Sequence, residues 1–88
     1  MSTSSDNEAE RVGAVIRLGR AYVRLIETVD VLLQHEFDKH ELVTLREARH
    51  LAVQQLRRMV ADSDPAITAE ILAASDKRLG TVKDVLLN

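Results

Sequence analysis

Cysteine is absent from all 88 residues, so neither a disulfide nor a thiolate metal site can hold this chain together. A chain of this length buries only about 60 to 65% of the surface its unfolded form exposes. Extra stability must then come from well-packed helices or from self-association. Aromatic residues are nearly missing too, with Tyr22 and Phe37 the only two. One proline and three glycines supply little turn chemistry, which excludes an all-β fold of many short, punctuated strands. No apolar run approaches the ~20 residues that span a bilayer, so no membrane association is expected. The opening residues, Met1 to Asn7, show neither a basic region nor an apolar core of a leader, and the expected location is cytoplasmic.

The 45% apolar content is carried by Leu, Val, Ala and Ile, the composition of helix bundles. The expected fold class is therefore all-α. Twelve basic residues stand against fourteen acidic ones, a formal net charge of −2, which disfavours a general nucleic-acid binder but leaves room for a local basic patch.

Residues 1 to 6 are small and polar with no apolar anchor, and they are expected to form a disordered tail ahead of a single α-helical domain over residues 7 to 88. Ser5 and Glu8 have capping-box spacing and predict a helix start there. The following helix, taken from Asn7 to Gln34, carries a 3-4 apolar series at Val12, Val15, Gly19, Tyr22, Ile26, Val29 and Leu33. Leu18, Leu25 and Leu32 flank it on one side, Ile16 and Val23 on the other. A stripe that wide suits a helix with two or more neighbours. The charged stretch from His35 to His40 predicts a break, with Phe37 its only apolar anchor. The next helix is capped either by Asp38 with Glu41 or by Thr44 with Glu47. Its own series is Leu42, Leu45, Arg49, Ala52, Leu56 and Met59. Asp64 as N-cap and Pro65 at the first helical position mark a restart, because proline's missing N–H is not needed there. The third helix carries Ile67, Ile71, Leu72, Leu79, Val82, Val85 and Leu86. It is expected to run through Gly80, although Thr81 and Asp84 offer an alternative cap for a separate short helix.

Short connections make sequential helices antiparallel, and the expected architecture is a three-helix antiparallel bundle with a long first helix. That helix would measure about 42 Å at ~1.5 Å per residue, roughly a third longer than its neighbours. Part of its apolar stripe would stay uncovered, and a homodimer closing a larger helical bundle would bury it through an isologous two-fold interface.

Few residues invite a chemical role. His35 and His40 are five apart, about 140° around a helix, so they lack the one-face geometry of a zinc-binding histidine pair at i and i+4. His50 has no surrounding pattern of a phosphorylatable histidine. No glycine-rich phosphate loop, nucleophile elbow or Cys–His pairing is present. No catalytic residue, metal or cofactor is therefore expected, and the protein is read as non-enzymatic. Arg49 sits on an apolar stripe, where its head must reach an acid such as Asp30 or Glu36; alternatively it selects helix register or partner. Gly19, close to Ala21, marks a notch where another helix approaches, within the core or from a partner.

Charge falls in blocks. Residues 11 to 24 hold four Arg and no acid, residues 25 to 43 five acids against Lys39, and residues 44 to 61 four Arg against Glu47. Folded antiparallel, Arg17, Arg20 and Arg24 on the first helix would meet Arg57 and Arg58 on the second at one pole. Arginine suits planar recognition of carboxylate or phosphate. These features lead to the expectation of a small regulatory or adaptor protein that acts by self-association and by binding another protein. The alternative is a DNA- or RNA-binding transcriptional regulator that uses the arginine pole.

Overall fold

A computed structural model describes the backbone of residues 3–75 and side chains from residue 7 onward. Among these residues the fold is wholly helical: α1 spans Thr3–Leu32, α2 Lys39–Asp62 and α3 Pro65–Leu72. The first helix takes in residues 3 to 6, which the sequence assigned to a disordered tail, and so begins ahead of the Ser5 cap. Met1 and Ser2 lie outside the described residues. With 30 residues and no proline, α1 runs for about 45 Å, against about 36 Å for the 24-residue α2 and about 12 Å for the eight-residue α3, at ~1.5 Å per residue.

Local chemistry accounts for each boundary. The α1 helix tightens at its end, where the Gln34 and His35 amides donate to Val31 and Leu32 carbonyls at 3.2 and 3.0 Å, three residues back instead of four. Asp38 then adopts an extended backbone and its carboxylate accepts the Glu41 amide at 2.8 Å, satisfying a donor that α2 leaves open. Thr44, the alternative cap, lies inside α2 and donates its hydroxyl to the His40 carbonyl at 3.0 Å. At the far end of α2, Ser63 leaves helical geometry and its hydroxyl donates to the Met59 carbonyl at 2.7 Å. Asp64 then caps α3, its Oδ1 accepting from the Ala66 and Ile67 amides at 2.9 and 3.0 Å, with Pro65 opening the helix.

The third helix is shorter than expected, stopping at Leu72. The Ala74 and Ser75 amides turn to carbonyls three residues back, and the Ser75 hydroxyl leaves for Glu27 of α1 at 3.0 Å. The cause lies in the sequence: the positions that would extend the Ile71 and Leu72 stripe by one turn are Ala74, Ser75 and Asp76, which offer no large apolar side chain to bury. Whether helix resumes toward Gly80 concerns residues outside those described.

The core consists of Val23 and Ile26 from α1, Ala52, Val53 and Leu56 from α2, and Ile71 from α3. Tyr22, Met59, Val60, Ile67 and Leu72 pack around it, half-buried. The covered face of α1 is therefore Gly19, Val23, Ile26, Glu27 and Val29 with half-buried Asp30, which widens the predicted seam toward Val23 and Glu27. Of that seam, Gly19, Ile26 and Val29 are buried and Tyr22 and Leu33 half-buried, whereas Val12 and Val15 remain 39% and 36% exposed. These two precede Gly19, where α3 meets α1, and the helix overhangs its neighbours there. Three atoms of the Ile71 side chain lie 2.7 to 2.8 Å from where a Cβ on Gly19 would sit. Only a residue without a side chain lets α3 approach this closely.

Candidate interaction surface

Polar contacts between helices surround the core. Arg49 of α2 donates from Nε to Asp30 Oδ1 of α1 at 2.6 Å, with a longer contact of 3.5 Å between Nη2 and Oδ2. Both side chains are largely covered, so the charge on the α2 stripe is compensated where it lies. Of the two acids the sequence offered to Arg49, the structure selects Asp30. Glu27 is buried and accepts from Ser75. Arg20 donates from Nε to the Glu70 carbonyl at 3.1 Å and from Nη2 to the Glu70 carboxylate at 3.2 Å, joining α1 to α3.

That last contact changes the arginine pole. Arg17 and Arg24 are exposed on α1, and Arg57 and Arg58 on α2, but Arg20 is committed to Glu70. Arg20 sits about 100° around α1 from Gly19, on the side that receives α3, whereas Arg17 and Arg24 point further outward. Arg20 thus belongs to a structural clamp, while Arg17, Arg24 and Arg58 lie on the exposed surface. Among the described residues no group of three or more His, Asp or Glu side chains is placed to hold a metal ion. His35, His40 and His50 are all exposed.

The apolar surface is more telling. Leu18 and Leu25 are 49% and 41% exposed, and Leu51 of α2 is 59% exposed. Leu18 and Leu25 belong to a row on α1, Ala14, Leu18, Ala21, Leu25, Thr28 and Leu32, spaced alternately four and three residues apart. All are exposed except the half-buried Leu32. At ~100° per residue this row lies roughly opposite the side of α1 that Gly19, Arg20 and Glu27 present to α3. Where the row ends, Leu32 joins Phe37, His40, Glu41, Thr44 and Leu45 around an open hollow of about 440 Å³. Thr44, Ala48, Leu51 and Gln55 then continue along one face of α2 at helical spacing. A helix that is apolar on two sides is built to be covered on two sides, and the described residues cover one.

No protein-family model, curated protein or solved structure matches the chain. The geometry of this surface therefore carries the functional reading. The sequence singled out Leu18, Leu25 and Leu32 only as the margin of a seam and Ala21 only as part of the Gly19 notch; Ala14 and Thr28, which complete a second 3-4 series, went unmarked. So did Glu27, whose signal was its place one turn beyond Val23 on the face that α3 covers.

Proposed function

We propose that this chain is a small, non-enzymatic regulatory or adaptor protein of the cytoplasm that works by self-association and by binding another protein through helix-to-helix contact. The carrying observation is the uncovered apolar row on α1, with Leu18 and Leu25 each about half exposed. Apolar surface that is contiguous and set apart from the core marks a binding face. An antiparallel run of the three helices belongs to this reading. The contacts support it: Asp30, near the end of α1, meets Arg49 before the middle of α2, and Leu32 shares the hollow with Leu45. A homodimer with an isologous interface is the simplest cover for such a face. Light scattering on a sizing column over a rising concentration series tests the proposal. A mass that climbs toward twice 9.8 kDa supports it; a monomer at every concentration would remove self-association from the reading.

The exposure of Arg17, Arg24 and Arg58 favours a second reading, a nucleic-acid regulator. It is the weaker one, because Arg20 is held by Glu70. Duplex DNA binding that collapses with salt and with Arg17→Ala would reverse the order of the two.

A further inference from the structure

The order of side chains along the bare row on α1 carries a specific geometry. Large and small residues alternate: Leu18, Leu25 and Leu32 against Ala14, Ala21 and Thr28. Turning the row end for end sets every large residue on a small one. Ala14 meets the partner's Leu32, Leu18 the partner's Thr28, and Ala21 the partner's Leu25. Side chains interdigitate best when large faces small across the contact. A parallel pair in register would instead stack leucine on leucine and leave gaps at each alanine layer. No charged residue interrupts the six positions.

The same reversal relates the two ends of the helix. Val15, exposed at the overhang, borders the row beside Leu18, one turn away, while Leu32 lines the 440 Å³ hollow with Phe37 and Leu45. Setting Ala14 against the partner's Leu32 brings each overhang alongside the other protomer's hollow. The exposed apolar surface at one end of the chain therefore has its cover at the other.

Area decides how much of the molecule takes part. From Ala14 to Leu32 the row is about 27 Å long, and a helix is about 10 Å wide, giving a strip of roughly 270 Å². A stable interface covers about 800 Å² on each partner. A contact of α1 with α1 alone falls well short. Adding the α2 face of Thr44, Ala48, Leu51 and Gln55, and seating the overhangs, extends the strip to about 45 by 20 Å, roughly 900 Å². We infer that two copies of this chain pair through their α1–α2 hairpins in an antiparallel, two-fold four-helix arrangement. The α1 row lies at its centre, and α3 remains on the outside.

This inference rests on the self-association reading, and disulfide trapping separates the two. The chain has no cysteine, so introduced thiols report without background. Leu18 and Thr28 are exposed, and Leu18→Cys combined with Thr28→Cys leaves the core untouched. In the antiparallel pair the two sites face each other across the interface, while each lies about 15 Å from its own copy on the partner, beyond disulfide reach. The expected result is covalent dimer from the double variant on oxidation and little from either single variant. Dimer by light scattering with ready trapping of the single variants would show a parallel pair, and dimer with no trapping at all another face. Either outcome overturns this geometry and leaves self-association standing. A monomer that is never trapped overturns both. As a second check, Ala21→Arg places a long charged side chain on an exposed position at the centre of the row. It should abolish the dimer while helicity is retained, and a dimer that survives it refutes the assigned face.

Discussion

Replacing Gly19 with alanine adds one methyl group at a point where two physical effects oppose each other. In the interior of a helix, alanine is favoured over glycine by about 1 kcal/mol, and on that ground alone Gly19→Ala would stabilise α1. The new Cβ, however, would lie 2.7 Å from both Cδ1 and Cγ1 of Ile71 and 2.8 Å from Cγ2. A rotation of the terminal methyl cannot clear three atoms at once, and Ile71 has no exposed side into which it can move. Helix α3 must therefore shift as a unit. Overpacking of this kind costs about 1 to 3 kcal/mol. Displacing α3 also forfeits part of the burial of Ile71, which is worth about 1.5 to 3 kcal/mol in full. The net expectation is destabilisation by about 1 to 2 kcal/mol. At 4 to 8 °C per kcal/mol for a domain of this size, the midpoint should fall by roughly 5 to 15 °C in a thermal melt followed by far-UV circular dichroism. Ile71→Ala sharpens the test. Alone it should cost about 2 to 5 kcal/mol through the cavity it leaves. Combined with Gly19→Ala, the added methyl enters that cavity, and the two effects should fall short of their sum by more than ~0.5 kcal/mol. A melting point that rises in Gly19→Ala, or strict additivity in the pair, would show that Ile71 does not sit on Gly19.

Arg49→Ala should destabilise by about 2 kcal/mol, between the small value of an exposed ion pair and the 3 to 5 kcal/mol of a fully buried one. It strands Asp30, whose side chain is 18% exposed, and urea midpoints at unchanged m-value would show it. Replacing both partners, as Arg49→Met with Asp30→Leu, should restore most of that loss, and failure to do so would mean that the pair contributes more than mutual compensation. Asp64→Ala removes the acceptor for the Ala66 and Ile67 amides and should cost about 1 kcal/mol, against only a few tenths for Asp64→Gly. Dimerisation should be concentration-dependent near the millimolar range, and a mass that stays constant as concentration rises into that range would contradict the interface proposed for α1 and α2.

What was legible in the sequence was what local chemistry decides. Asp64 and Pro65 fix the start of α3 because the cap and the missing N–H act within three residues, whatever packs nearby. The start of α2 was readable only as a choice, since Asp38 and Thr44 both have the spacing of a cap. The structure takes the earlier one and leaves Thr44 to back-bond within the helix. The covered face of α1 was legible only in part: the seam from Gly19 to Leu33 is covered, but Val23, Glu27 and Asp30 join it and Val12 and Val15 stay exposed. Periodicity marks the apolar positions of that helix without saying how far around it the cover extends. The decision comes from Gly19, which admits Ile71 and so draws α3 to the side of Val23 and Glu27. Sequence blocks of like charge could not reveal that Arg20 is drawn out of the arginine pole by Glu70, fifty residues away, because that pairing exists only once α3 has docked.

The energetics of the bare face explain why a dimer of this chain must use more than α1. Fully burying a leucine or valine yields about 1.5 to 3 kcal/mol, so the exposed half of Leu18 or Leu25 is worth roughly 1 kcal/mol when covered. Over two protomers these leucines supply about 4 kcal/mol, no more than the lowest cost of bringing two molecules together, about 4 kcal/mol. A contact through the α1 row alone would hardly persist. Leu51 and Val15, exposed to a similar degree, bring the gross gain to roughly 8 kcal/mol and leave a net of about 4 at most. That value is close to the −4.1 kcal/mol that corresponds to millimolar dissociation. In the dimer inferred above, overhang, row and α2 face must therefore be covered together, and changes in concentration would make and break the pair.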